Sequence, residues 1–170
     1  MSPVMRTALL PGSFDPPTAG HLDVVERARH LFDRVVVVVL HNPEKPSSGF
    51  LGVPERVEAL RASVASGEAA GPGSVEVHAA SGLLVDVARE HGADVVLKGI
   101  RGEGDWSYEQ PMAVMNRQLS GIETVMLPCA PELAHISSTL VRQIAQGGGA
   151  VTELVPGPVE AAVRRALSAS

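Results

Sequence analysis

One stretch constrains this chain more than any other: Val35-Val36-Val37-Val38-Val39-Leu40. Consecutive β-branched residues favour extended chain, because two heavy atoms on Cβ restrict χ1 and crowd a helix. Strand side chains alternate between faces, so a run apolar at every position needs cover on both sides of its sheet. That is the setting of an inner strand in a parallel sheet layered between helices. The run is far shorter than the roughly 20 residues that cross a bilayer, and no later run approaches that length.

The rest of the chain alternates accordingly. Thr7–Leu10, ended by Pro11-Gly12, reads as a strand, as do Ser74–Ala79, Val95–Leu97 and Glu123–Leu127. Thr18–Phe32 reads as a helix, with Leu22, Val25, Ala28 and Phe32 on one face and Asp23, Arg27 and His30 on the other. Further helices are expected over Pro54–Val64, Leu83–His91, Ser107–Leu119 and Ser137–Gln146, with a last one from near Pro158 to about Ser168. Pro111 falls in the first turns of the Ser107–Leu119 helix. Strands alternating with helices define an α/β chain: an open parallel five-stranded sheet, helices on both faces and a C-terminal helical tail. Residues 5–168 are read as a single domain.

Composition narrows the function. The 14 cations (12 Arg, with Lys45 and Lys98) face 19 acids, giving a net charge of −5. Only Phe14, Phe32, Phe50, Trp106 and Tyr108 are aromatic. Such a surface suits neither nucleic acid nor membrane, although a few cations in a cleft can still hold a small anion. Cys129 is alone, which excludes an intrachain disulfide and a multi-cysteine zinc site. It is read as an inert, buried or half-buried thiol. The first residues lead straight into a strand without a signal-peptide core, so the chain is read as soluble and cytoplasmic.

Ligands of open parallel sheets bind beyond the carboxyl ends of the strands. After the first strand comes Pro11-Gly12-Ser13-Phe14-Asp15-Pro16-Pro17-Thr18-Ala19-Gly20-His21. It feeds a helix N-terminus, whose free N–H groups and dipole attract anions. By itself such a loop equally fits an ordinary connection with a capping Thr18. It carries neither a P-loop lysine nor a G-x-G-x-x-G fingerprint. Lys45 follows the second strand in Asn42-Pro43-Glu44-Lys45, and Lys98-Gly99-Ile100-Arg101 ends the fourth. Both lysines thus fall near strand ends, where they suit phosphates as well as solvent. After the fifth strand, Ser137-Ser138-Thr139 opens a helix: one hydroxyl is needed as a cap, and two are left for a phosphate. His30, His78 and His91 are scattered, and Asp15 and Asp105 are lone carboxylates, so no protein metal site is assigned. Phosphate-binding groups without a nucleophile–base pair suit transfer between phosphates, where positioning and charge stabilisation dominate.

At these residues the chain resembles the bacterial phosphopantetheine adenylyltransferases of the nucleotidylyltransferase superfamily. The shared pattern is Pro11-Gly12-Ser13-Phe14-Asp15-Pro16-x-Thr18-x-Gly20-His21, then Asn42-Pro43-x-Lys45 and Lys98-Gly99-Ile100-Arg101 with Asp105 and Tyr108-Glu109. Ser81–Asp86, Met115-Asn116-Arg117 and Ile136-Ser137-Ser138-Thr139 complete it. The resemblance implies a Rossmann-like fold and the reaction of ATP with 4′-phosphopantetheine, giving dephospho-coenzyme A and pyrophosphate by direct in-line attack. It implies that His21 stabilises the transition state and that Lys45 and Lys98 hold the acceptor phosphate. Lys98 stands where many members have Arg. Ser13 matches a position touching both substrates, with Phe14 beside it. Gly99, Ile100, Arg101, Glu109 and the stretch Leu133, Ala134, His135, Ile136, Ser137, Ser138, Thr139 match ATP-side positions, Arg101 with a catalytic role. Leu84 and Asn116 match the pantetheine side. Mg²⁺ would arrive with ATP, coenzyme A is a candidate feedback ligand, and the assembly would be a homohexamer.

Three departures accompany the match: a longer loop at Pro46–Pro54 carrying Gly49-Phe50-Leu51-Gly52, the Gln110-Pro111 step, and Leu133-Ala134-His135 where members often place aromatics. Two other functions stay open at this point, adenylyl transfer to nicotinate mononucleotide and a non-catalytic nucleotide-binding domain.

Overall fold

The valine run forms β2 (Arg34–His41) of a five-stranded, wholly parallel sheet ordered β3-β2-β1-β4-β5. The other strands are β1 (Thr7–Gly12), β3 (Ser74–Ser81), β4 (Val95–Ile100) and β5 (Glu123–Pro128). Six helices complete the α/β, Rossmann-like fold: α1 (Ala19–Ala28), α2 (Val53–Ala65), α3 (Leu84–Glu90), α4 (Glu103–Ser120), α5 (Ser138–Gln146) and α6 (Gly157–Ser168). The computed structural model describes residues 5–42, 49–67 and 71–169. Among them no helix is long and apolar enough to cross a membrane.

Both faces of β2 are covered, as its sequence requires. Val35, Val37 and Val39 pack with Leu10, Val25 and Leu60 on one side, while Val36 and Val38 pack with Leu9, Val87 and Ala88 on the other. All five valines are fully buried. At about 1.5–3 kcal/mol per fully buried Val, Leu or Ile side chain, this strand is a principal source of stability. A third core joins Leu51 and Ala59 to Val141, Val155, Val159 and Val163, so α5 and α6 pack back onto α2.

The strand order creates the opening. From β1 the chain builds outward through β2 and β3, then returns to β1's other side as β4. β1 pairs with β2 over six residues, from Thr7↔Arg34 to Gly12↔Val39. With β4 it pairs only at Ala8↔Val95 and Leu9↔Val96. Beyond those pairs the carboxyl ends of β1 and β4 are not laddered together, which is where a topological switch leaves a crevice. Gly99 lets α1 approach β4 there, since a Cβ on it would stand 2.9 Å from Val24 Cγ2.

The strands β1, β3 and β4 run two or three residues past their expected ends, and two helix boundaries depart further. α1 ends at Ala28, not Phe32, because Leu31 and Phe32 turn back to donate to the Ala28 carbonyl. α4 begins at Glu103, not Ser107. Gly102-Glu103-Gly104 looks like loop in the sequence, but Glu103 and Asp105 supply first-turn acids that complement the helix dipole. Pro111 therefore lies in the helix interior rather than its first turn, and the helix runs through it. Gly121 in the left-handed region (φ 78°) closes α4, its N–H donating to the Arg117 carbonyl.

Candidate active site

A cleft of about 500 Å³ lies over the β1/β4 opening. The first loop, α1, the end of β4, the start of α4 and the N-terminus of α5 all contribute to it. Its size falls in the usual range for a small-ligand site.

His21 stands at its floor. Thr18 caps α1, and its backbone N–H donates to His21 Nδ1 at 2.9 Å while its hydroxyl lies 3.0 Å from the same atom. This is a capping box with His at the third helical position, where Glu or Gln is usual. With Nδ1 accepting, a neutral ring carries its proton on Nε2. Burial, reinforced by the nearby Arg101 charge, lowers the His21 pKa from 6.5 to about 4. At neutral pH the ring is an uncharged hydrogen-bond donor.

Phe14 shapes the loop above it. Its ring is buried and meets His21 edge-on, with centroids 5.0 Å apart and planes at 67°. Gly12 gives the ring room, because a Cβ there would stand 3.0 Å from it and press it aside.

Two cation–carboxylate pairs line the opposite wall. Lys98 Nζ donates to Glu109 Oε1 at 3.1 Å, with both side chains mostly buried. Arg101 grips Asp105 through Nε and Nη2, both at 2.9 Å, and its Nη1 donates to the Ile136 carbonyl at 3.2 Å. The hydrogen-bonded Arg101 holds the Asp105 carboxyl below its ordinary pKa, and Asp105 raises that of Arg101. Asp105 and Glu109 are four apart, so α4 presents both on one face to cations three apart at the end of β4.

The α5 end carries the hydroxyls. Ser137 is the cap, accepting from Leu140 N–H at 3.2 Å. Ser138 Oγ donates to the Pro16 carbonyl at 2.8 Å, and Thr139 Oγ1 accepts from Arg142 Nη2 at 3.2 Å. The two hydroxyls expected to be left for a phosphate thus also tie α5 to the first loop and to Arg142. Cys129 lines the cleft half-buried; burial, then the Asp23 charge, pushes its thiol up, away from the nucleophilic thiolate.

The cleft brings together Ser13, Phe14, His21, Lys98, Gly99, Arg101, Glu109 and Ile136–Thr139 from the sequence expectation. Ile100, Leu133, Ala134 and His135 flank the cleft without lining it; Leu133 packs into the C-terminal core and His135 is exposed. Leu84 packs under the sheet's other face, and Asn116 is buried on α4. Lys45 lies outside the described residues. The sequence gives no site role to Arg142, offers Thr18 as a hydroxyl donor or a helix cap, and offers Asp105 as a metal contact or as part of the shared pattern, without its pairing to Arg101. The i,i+4 spacing of Asp105 and Glu109 was the available signal, hidden by the late start assigned to α4. Asp15 is committed to Phe50 N–H, Leu51 N–H and Arg56, not to a ligand. Among the described residues no group of three or more His, Cys, Asp or Glu could hold a metal.

Fold and cleft together are those of a cytidylyltransferase-like protein, and that family's model matches residues 9–144. The chain is 48% identical over 165 residues to the phosphopantetheine adenylyltransferase of Leifsonia xyli subsp. xyli, covering 97% of this chain and 99% of that one. It is 42% identical over 158 residues to the phosphopantetheine adenylyltransferase of Deinococcus radiodurans, covering 93% and 92%. The chain belongs to the phosphopantetheine adenylyltransferase family. Its fold also matches a bifunctional NMN adenylyltransferase/ADP ribose pyrophosphatase from Francisella tularensis, with a TM-score of 0.66 at 10% identity over 89% of this chain and 44% of that one.

Proposed function

We propose that this chain, acting as one domain over residues 5–168, transfers the adenylyl group of ATP to 4′-phosphopantetheine, releasing pyrophosphate and dephospho-coenzyme A in coenzyme A synthesis. The observation that carries this reading is His21, its Nδ1 held by the Thr18 N–H, in one cleft with Lys98 and Arg101 at the strand crossover. The acceptor phosphate attacks the α-phosphorus; a P–O bond forms there as the bond to the pyrophosphate oxygen breaks. The attacking oxygen is already anionic, so no general base is needed.

His21 Nε2–H stabilises charge gathering on the non-bridging oxygens, an oxyanion-hole role. Lys98, with Lys45 by resemblance, lowers the repulsion between two anionic substrates. At about 4 Å and an effective dielectric near ~20, one such charge pair is worth on the order of 4 kcal/mol before desolvation. Lys98 and Arg101 are held by Glu109 and Asp105 in the free chain, which keeps both cations extended toward the cleft. Ser13, Phe14, Gly99, Ile100, Glu109 and the Leu133–Thr139 stretch are assigned to ATP, with Ser13 touching both substrates. Leu84 and Asn116 are assigned to the pantetheine arm on the resemblance alone.

Mg²⁺ enters as part of the ATP complex, held by its phosphates. This fits the engagement of Asp15, Asp105 and Glu109 with cations and amides of the chain. Coenzyme A, sharing the pantetheine arm, would compete in the same cleft. A homohexamer is assigned on the resemblance, and the apolar residues that α4 and β5 leave exposed, Trp106, Met112, Met115, Leu119 and Val125, fit a face that associates with other copies. Such chemistry belongs in the cytoplasm, where ATP is supplied.

Pyrophosphate release with ATP-Mg²⁺ tests the reading directly. Turnover is expected with 4′-phosphopantetheine and at least ~100-fold less with nicotinate mononucleotide, because both bring a phosphate but a site built for the hydrogen-bonding arm of one acceptor leaves polar groups unpaired with the other. The reverse preference would overturn the acceptor. ATP binding without turnover on either acceptor would make this a nucleotide-binding domain instead.

A further inference from the structure

The Ser13-Phe14-Asp15 turn is held from behind by groups that do not line the cleft. The Asp15 carboxylate accepts from Phe50 N–H and Leu51 N–H, both at 2.8 Å. Arg56 is a buried cation on α2. Its Nη2 lies 3.4 Å from Asp15 Oδ2, its Nε donates to the Leu51 carbonyl at 2.7 Å, and its Nη1 donates to the Ser13 carbonyl at 3.2 Å. One guanidinium therefore joins the first loop, the Phe50-Leu51 segment and α2. Three acceptors around one planar group suit an arginine fork and not the point charge of lysine.

Between the two tethered residues sits Phe14 with φ +49°, in the left-handed region. A residue with a Cβ enters that region at a cost and stays only where its surroundings fix it. Here the fixing groups flank it on both sides, the Ser13 carbonyl and the Asp15 carboxylate. The ring so placed is the one that packs edge-on against His21.

We infer that Arg56, through Asp15 and the Ser13 carbonyl, is a positioning residue that locks the Phe14 turn against His21 and so aligns Ser13 and His21 for transfer. The alignment role rests on the adenylyl-transfer reading of the cleft; the lock on the turn does not. Arg56 touches no substrate group itself.

Two variants test it. Arg56→Lys keeps the charge and removes the fork. Gly49→Ala acts from outside: Gly49 is exposed, its backbone is not left-handed, and a Cβ on it would stand 1.7 Å from Arg56 Nη2, displacing the guanidinium. Both variants are expected to fold, by circular dichroism and a cooperative melt. Both should lose roughly 10–100-fold in kcat, as for a slight misplacement of catalytic groups, with the KM for ATP within about threefold of the parent. In the free protein, NMR of the His21 ring should show its titration moving from about 4 toward its ordinary value, because a loosened Phe14 admits water.

Folded variants with parental kcat and an unmoved His21 titration would overturn the inference. So would loss of folding in both, which would make the pair a folding element. The ring titration needs no substrate, so it decides the lock on the turn even if the parent chain fails to turn over 4′-phosphopantetheine.

Discussion

Replacing His21 by Gln should separate the chemistry of the cleft from the stability of its floor. A glutamine at the third helical position can still accept from the Thr18 N–H, as in an ordinary capping box, so the α1 cap should survive. Stability at pH 7 should change by less than about 1 kcal/mol, against the roughly 0.5–2 kcal/mol lost when a cap is removed. The acid dependence should change more. In the parent chain the folded ring protonates near 4 and the unfolded ring near 6.5. Between those values the unfolded state binds more protons, so stability falls as pH drops from about 6.5 to about 4. A shift of this size corresponds to about 3 kcal/mol at full development.

The glutamine variant lacks that titration, so its stability should be flatter over the same window. Turnover should fall by roughly 10²–10³-fold, as when an oxyanion donor is lost. Guanidinium melts at pH 7 and pH 5, paired with pyrophosphate release at pH 7.5, measure all three effects. Turnover within a few-fold of the parent would refute the donor role. A loss of several kcal/mol at pH 7 would show that His21 serves the fold rather than the reaction.

Three further outcomes follow from the packing and charges. Leu51→Ala removes a fully buried side chain from the C-terminal core and should cost about 2–5 kcal/mol, visible as a lower denaturant midpoint at unchanged slope. Lys98→Ala should raise the KM for the acceptor by roughly 10–100-fold with a smaller effect on ATP, since desolvation offsets about half of the charge-pair energy it removes; equal changes in both KM values would count against its assignment. Pro111→Ala restores a donor inside α4 at an exposed position and should raise the melting temperature, by up to about 3 kcal/mol of stability. A lower melting temperature would mean that the Pro111 ring itself serves packing.

The layers of this fold were legible because β2 is apolar at every position and the helical segments are not. The crevice was legible from topology, since Lys98 and Arg101 had to emerge where β4 ends. What the sequence could not show depends on contacts between distant segments. Asp15 and Arg56 are 41 positions apart, and nothing local distinguishes a carboxylate that holds amides from one that holds a metal. Asp105 looked like a lone acid until α4 was seen to begin at Glu103 and turn it onto Arg101. Ser138 and Thr139 looked like spare donors because their partners, Pro16 and Arg142, meet them only in the folded chain. Leu84 and Asn116 came from resemblance, and apolar packing and burial account for both within this chain.

The stereochemical course at the α-phosphorus tests most directly the claim that the cleft transfers the adenylyl group between two phosphates without a protein nucleophile. With ATP bearing a single-configuration sulfur on its α-phosphate and 4′-phosphopantetheine as acceptor, one in-line displacement yields a product of inverted configuration. Retention would require two displacements and a covalent adenylyl-protein intermediate, and would contradict the account.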